Sequence, residues 1–292
     1  MSPELHRISI FGSTMTVRIL GSGPALLLAH GYLFDHEMWA PQIAALAARY
    51  RLILPDLWGH GGSGALPSTT RDMRDLAGHH LALLDHLGVD RCALVGLSLG
   101  GMWSAELALM APGRVSALVL LATSLAAEPA ASRDAYFGML DLVADSGTIP
   151  PPVLATAMAM FFTPAIDRAS PGMRARVAER LRAWDAARLR DSIAPLGRIT
   201  FGRREALEAL GALTVPTLVA TGDGDMARPP AEGQAMADRI GCPFVRIPDA
   251  GHIANLEAPD FVTRLLCDFL ARAIPGAPAR DRTAPALHED AS

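Results

Sequence analysis

The sequence predicts an α/β fold: an open, mostly parallel sheet with helices on both faces and an all-helical insertion. Three observations predict it. Short continuous apolar runs recur, as in strands covered on both sides. Helical stripes alternate with these runs. The alternation stops between about 126 and 212 and then resumes. The 292 residues, half of them apolar and 19% charged, supply ample material for a buried core.

Arg7 to Phe11 and Met15 to Leu20 flank Gly12-Ser13 and predict a hairpin. Ala25 to Ala29 and Leu52 to Leu54 predict buried strands. Thr69 to Asp72 has the spacing of a capping box, and the apolar face follows at Met73, Leu76, Leu83, Leu84 and Leu87. Gly88 ends that helix. Ala93 to Val95 predicts a strand, and Met102, Ala105, Leu109 and Met110 mark the helix after it. Val115 to Leu121 predicts another strand. Two helical stripes then follow without a strand: Leu154, Met158, Phe161 and Phe162, then Met173, Val177, Leu181 and Trp184. Thr217 to Ala220 and Phe244 to Ile247 restore the strand pattern. Pro259 opens a last helix buried through Val262, Leu265, Leu266, Phe269 and Leu270. Beyond Ile274 the chain is rich in Pro, Ala and charge, which predicts a disordered tail. The expected organisation is a core in two parts, 1–125 and 213–274, an insertion at 126–212, and a tail at 275–292.

Composition excludes several functions. Lys+Arg totals 26, and every one is arginine. Without lysine there is no Schiff-base chemistry and no P-loop. A net charge of -4, without a block of like charge, argues against nucleic-acid binding. Cys92, Cys242 and Cys267 form neither a disulfide framework nor a zinc pattern, so no metal is expected. They read as reduced thiols, which points to the cytoplasm. The N-terminus lacks a signal-peptide core, and no apolar run is long enough to span a membrane. Nothing in the pattern sets an oligomeric state.

The chemistry starts at Gly96-Leu97-Ser98-Leu99-Gly100-Gly101. This is G-x-S-x-G between a strand and a helix, the context of a nucleophile elbow. Small neighbours are needed because the serine occupies a strained tight turn. A serine hydroxyl needs a base, and on such an elbow the acid and base follow the nucleophile in chain order. Of nine histidines only His252 and His288 come after Ser98, and His288 falls in the tail. His252, in Ala250-Gly251-His252, is therefore the base candidate. The acid follows the strand Thr217 to Ala220, in Thr221-Gly222-Asp223-Gly224-Asp225. Asp225 is preferred because the loop must carry the carboxylate past the strand end; Asp223 is the alternative, or a turn cap. Two backbone N–H groups must face the developing oxyanion. Leu99 supplies one, and Tyr32, after His30-Gly31, supplies the other. Gly31 lets that loop turn tightly. The Tyr32 side chain either lines the pocket or packs.

The elbow, His30-Gly31 with Trp39, Asp56-Leu57-Trp58-Gly59-His60-Gly61-Gly62-Ser63, Pro216 to Asp225, and Gly251-His252 with Glu257-Ala258-Pro259 together resemble the α/β-hydrolase superfamily, in its capped bacterial branch. The Gly96 to Gly101 segment is also similar to 3-oxoadipate enol-lactonases. The resemblance implies an eight-stranded, mostly parallel sheet with a helical cap over the active site. It implies no cofactor.

Other polar residues have structural readings. Asp56 and His60 are expected to hold a turn, His80 to be a satisfied core histidine, and Asp35 and His36 to be solvated loop residues. Ten arginines lie between Arg168 and Arg204, against Glu179, Asp185 and Asp191. They favour an anionic substrate or, on the preferred reading, a solvated helical face. The insertion's apolar residues include Phe137, Met139, Met158, Met160, Phe161, Phe162 and Trp184. Of these, Phe137, Met158, Phe161, Phe162 and Trp184 are the expected substrate contacts, since methionine-rich linings adapt to irregular apolar groups. The expected substrate is a small-molecule ester or lactone, cleaved through an acyl-enzyme on Ser98. Carbon–carbon bond hydrolysis of a β-diketone-like substrate and perhydrolase or cofactor-free haloperoxidase chemistry are alternatives on the same triad. A non-catalytic ligand receptor is a further alternative. Serine at 98 excludes the carboxylate-nucleophile chemistry of haloalkane dehalogenases and epoxide hydrolases.

Overall fold

A computed structural model of the chain describes residues 4–274. The tail expected over 275–292 lies outside the described residues. Eight strands form one sheet: β1 (Glu4–Ile10), β2 (Ser13–Leu20), β3 (Ala25–Ala29), β4 (Arg51–Pro55), β5 (Cys92–Leu97), β6 (Val115–Leu121), β7 (Thr217–Gly222) and β8 (Phe244–Ile247). Their order is β1-β2-β4-β3-β5-β6-β7-β8. β1 and β2 form the antiparallel hairpin, β2 runs antiparallel to β4, and the remaining pairs are parallel.

Alternation along the strands explains the continuous apolar runs. Leu26, Leu28, Leu52, Leu54, Val95 and Val119 bury one face against α1 (Ala40–Ala47) and a C-terminal helix. Leu27, Ala29, Ile53, Leu94, Leu118 and Leu120 bury the other against α2 (Met73–His86) and α3 (Leu99–Met110). Each such leucine, fully withdrawn from water, contributes roughly 1.5–3 kcal/mol. Helix α1 is missing from the sequence-based pattern because its run APQIAALA carries its burial on Gln42 and Leu46, among alanines that mark no stripe.

The start of α2 differs from expectation. Its N-cap is Asp72, not Thr69: Asp72 Oδ1 accepts from Arg74 N (2.8 Å) and Asp75 N (3.0 Å), and Asp75 reaches back to Arg71 N (2.7 Å). The cap sits three residues later because the buried stripe itself starts at Met73. Gly88, at φ +61°, follows the helix, and Val89 N closes back on Leu84 O.

Between β6 and β7 no strand occurs among the described residues. Helices α4 (Ala130–Ser146), α5 (Pro151–Phe161), α6 (Ile166–Ala169), α7 (Met173–Arg182), α8 (Ala186–Arg188) and α9 (Ala194–Phe201) fill the interval. Among the described residues α10 (Pro230–Ile240), α11 (Ala254–Glu257) and α12 (Pro259–Ala273) follow. The buried stripe of α12 is Val262, Leu266, Cys267 and Leu270; Leu265 and Phe269 flank it, half-buried. Among the described residues no helix is long and apolar enough to cross a membrane.

His60 and His80 are fully buried, and burial holds each imidazole at about 3. His80 Nδ1 donates to Leu76 O (2.7 Å), its ring stacks on Trp103 at 3.7 Å, and its Nε2 has no partner among the described residues. It is thus only half satisfied. Both rings are neutral in the fold but take a proton near pH 6.5 when unfolded. Their stability is complete above that pH and is lost as pH falls toward 3. With a slope that approaches about 1.4 kcal/mol per unit each, the pair removes about 3 kcal/mol between pH 6.5 and 5. His36, whose pKa is raised chiefly by its hydrogen bond to Asp56, has the opposite sign, but its contribution is already complete by pH 6.5. The urea midpoint is expected to fall steadily over this range, less steeply in His80→Phe, where His60 and the burial-lowered His30 and His79 still contribute. A midpoint independent of pH would refute this.

Candidate active site

Ser98 joins β5 to α3 at φ +55° and ψ −120°. A side chain in that region is strained. Surrounding backbone fixes it: Ser98 N donates to Leu121 O (2.9 Å), and Thr123 Oγ1 donates to Ser98 O (2.7 Å). The elbow glycines are steric necessities. A Cβ on Gly96 would lie 2.5 Å from Gly100 O, and one on Gly100 would collide with Ala29 O and sit 2.7 Å from His30 O. α3 therefore packs backbone to backbone against β3 and β5, which brings its N-terminus beside the 30–33 loop.

Three side chains from separate stretches meet there. His252 Nε2 lies 2.9 Å from Ser98 Oγ, and His252 Nδ1 lies 3.0 Å from Asp225 Oδ2 and 3.1 Å from Oδ1. Asp225 Oδ1 also accepts from Ala227 N (2.9 Å) and Arg228 N (2.8 Å). The Asp225 and His252 side chains are 0% and 4% exposed, so the pair works away from water. Asp223 instead pairs with Arg246 at the surface. The arrangement can move a proton from a hydroxyl to an imidazole whose tautomer a carboxylate fixes.

The model of the alpha/beta hydrolase fold matches residues 24–259. The chain belongs to the α/β-hydrolase family. Membership, together with enol-lactonase and carbamate hydrolase relatives, supports hydrolase activity. It is 25% identical over 272 residues to 3-oxoadipate enol-lactonase 1 of Acinetobacter baylyi, covering 91% of this chain and 98% of that protein. It is 33% identical over 267 residues to a putative carbamate hydrolase RutD of Variovorax paradoxus, covering 88% and 96%. A solved thermophilic esterase from Thermogutta terrifontis superposes with a TM-score of 0.83 at 27% identity, covering 92% of this chain and 99% of that one.

In this α/β-hydrolase the 30–33 loop is held from both sides. His30 Nδ1 donates to Gly31 O (2.8 Å), and His30 Nε2 accepts from Leu57 N (2.8 Å). His60 Nε2 accepts from Leu33 N (3.0 Å), and its Nδ1 donates to Trp58 O (2.9 Å). Gly31 is not in a left-handed conformation. What favours glycine there is close approach, since a Cβ would sit 3.3 Å from Leu97 Cδ2 and 3.4 Å from Ser98 Cβ. Tyr32 both lines the cavity and packs, its hydroxyl donating to Ile193 O (2.8 Å).

Asp56 does hold its turn. It accepts from His36 N, His36 Nδ1 and Gly62 N. Burial pushes its carboxyl up, but these donors and His30 outweigh burial and leave it below the usual carboxylate range. Asp35 and His36 are not solvated loop residues. Asp35 is buried, accepts from Glu37 N and pairs with Arg180 at 2.7 Å. The insertion's arginines are largely engaged: Arg174 and Arg190 bond carbonyls, while Arg180, Arg203 and Arg204 pair with Asp35, Glu128 and Glu106. Neither a bare solvated face nor an open cationic patch describes them.

A cavity of about 110 Å³ opens over Ser98 and His252, walled mostly by apolar side chains of α4 and α5. Of the five expected contacts only Phe161 lines it. Met139 and Met160 do so instead, with Leu140, Val143 and Ala157. Met158 and Phe162 are buried in the core, Phe162 edge-on to Phe34. Trp184 packs on His60 and Arg188, and Phe137 lies under Arg198. The reason is rotation: α5 is apolar nearly all round, so the sequence shows its stripe but not which stripe faces the cavity.

The sequence assigns no role to two features of the site. Arg228 lines the cavity and is bonded to Glu128 at 2.9 and 2.7 Å, and Glu128 in turn holds Arg203 at 2.8 Å. Their separation along the chain leaves no local signal. Glu257 is the other: burial pushes its carboxyl above the usual range, against hydrogen bonds from Gly251 and Thr163 that pull it down. Its position in Glu257-Ala258-Pro259 was the available signal.

Proposed function

We propose that the protein is a serine hydrolase that cleaves a small carboxylic ester or lactone through an acyl-enzyme on Ser98. His252 takes the Ser98 proton as Oγ attacks the carbonyl. The amides of Tyr32 and Leu99 hold the tetrahedral oxyanion. Asp225 keeps the His252 tautomer and stabilises the imidazolium. His252 then protonates the leaving alkoxide and activates the water that releases the acid. The observation that carries this reading is the unbroken line from Ser98 Oγ to His252 Nε2, and from His252 Nδ1 to Asp225.

The insertion serves as a cap, and its apolar wall selects substrates with an apolar acyl or alcohol part. The names of the relatives support acyl transfer to water: a lactonase, a carbamate hydrolase and an esterase. Cys92, Cys242 and Cys267 join no disulfide among the described residues, which supports work in a reducing compartment such as the cytoplasm.

Assay of p-nitrophenyl esters from acetate to dodecanoate, with simple lactones alongside, tests the proposal. Each methylene the cavity takes is expected to raise kcat/KM by up to about tenfold. The trend is expected to reverse once the acyl chain outgrows the cavity. Absence of turnover on every ester and lactone would overturn the assignment.

A further inference from the structure

Glu257 ends α11, six residues after Gly251, and folds back onto the base loop. Its Oε1 accepts from Thr163 N (2.7 Å) and Thr163 Oγ1 (2.8 Å), and its Oε2 accepts from Gly251 N. The residue is 5% exposed, and among the described residues no cation lies within ion-pair distance of its carboxylate. Arg174 of α7 holds the other side of Thr163, donating to its carbonyl at 2.9 Å. A buried carboxylate is costly without donors, and these three match its acceptor-only chemistry.

The bond to Gly251 is half of a pair. On the far side of His252, Ile253 N donates to Phe161 O at 3.2 Å. The amides on both sides of His252 are therefore held by the end of α5, one directly and one through Glu257. The Phe161 ring also lies near-parallel to the imidazole, with centroids 6.2 Å apart and planes 14° apart, and it lines the cavity. Packing tightens the same junction. A Cβ on Gly224, in the acid loop, would lie 2.9 Å from Thr163 Cγ2, and one on Gly251 would lie 2.9 Å from Thr163 Cγ2 and 2.8 Å from Glu257 Oε2.

We propose that Glu257 is a positioning residue that locks the His252 loop to the helical insertion, so that seating of the insertion and alignment of the base are one event. The proposal rests on the role given to His252 above. Glutamine cannot replace the carboxylate here. Its oxygen can serve Thr163 or Gly251, but its NH₂ then faces an N–H donor on the other side. Aspartate keeps both acceptors on a stem one methylene shorter.

The test compares Glu257→Gln, Glu257→Asp and Gly251→Ala with the wild type and Ser98→Ala, on one short p-nitrophenyl ester, with thermal unfolding alongside. Gly251 has no positive φ, so alanine there is not strained by its own φ and acts by crowding both sides of the clamp, Glu257 Oε2 and Thr163. Glu257→Gln and Gly251→Ala are both expected to lower kcat by about 10–100-fold with KM within about twofold, as sub-ångström misplacement of a base does. Glu257→Asp is expected to recover part of the loss. If Glu257→Gln does not fold, Gly251→Ala decides. Wild-type kcat in folded Gly251→Ala or Glu257→Gln, with Ser98→Ala inactive, overturns the clamp alone. Turnover in Ser98→Ala overturns the triad reading instead.

Discussion

Replacement of Ser98 by alanine is expected to abolish ester turnover, lowering kcat by about 10⁶-fold, while the fold survives. The side chain's recorded partner is His252 Nε2. The bonds that fix the elbow belong to the backbone, to Leu121 O and from Thr123 Oγ1, and alanine keeps both. Alanine tolerates the positive φ no worse than serine does. Stability is therefore expected to change by less than about 1 kcal/mol. Turnover of p-nitrophenyl butanoate and the thermal midpoint, measured on the same preparation, check the two halves. Retained turnover would remove the nucleophile from the account.

Asp225→Asn is expected to cost about 10⁴-fold in kcat. The reason lies in which oxygen is already committed. Oδ1 accepts from the Ala227 and Arg228 amides, so the asparagine oxygen must occupy that place. Its NH₂ then replaces Oδ2, 3.0 Å from His252 Nδ1. Two donors cannot face each other, and the oxygen at the Oδ1 place, 3.1 Å from Nδ1, is already shared by two amides, so the imidazole turns to the tautomer that accepts at Nδ1. Its Nε2 then carries the hydrogen toward Ser98 Oγ and cannot take the serine proton. KM is expected to change little, because Asp225 does not line the cavity. The measurement is a pair of steady-state curves for wild type and variant on one ester. A loss below about tenfold would mean the carboxylate does not set the tautomer.

Much of the fold was legible because the sheet is covered on both faces. Leu26, Leu27 and Leu28 alternate sides yet all are buried, so the strand appears as an unbroken apolar run. The three residues that meet at the elbow were legible because the elbow dictates chain order, and of the two histidines after Ser98 one falls in the stretch whose composition predicts a tail. Asp225 and Asp223 were separable only by the direction of the loop, which turns Asp225 inward and leaves Asp223 to Arg246. Helices α1 and α10 were hidden by alanine and by stripes of few large residues: α10 buries Gly233, Met236 and Ala237. The cavity lining was misread because Met158 and Met160 stand on different faces of one apolar helix. Glu128, Arg203 and Arg228 were invisible, since buried ion clusters join residues that share no period.

The central claim is that Ser98 is a nucleophile activated by His252. Treatment with a fluorophosphonate, followed by mass mapping of the modified peptide, tests it most directly. One adduct per chain is expected, on Ser98, formed at a rate that drops steeply in Asp225→Asn and matched by loss of ester turnover. An unmodified Ser98, or full turnover in a chain fully labelled there, would contradict it.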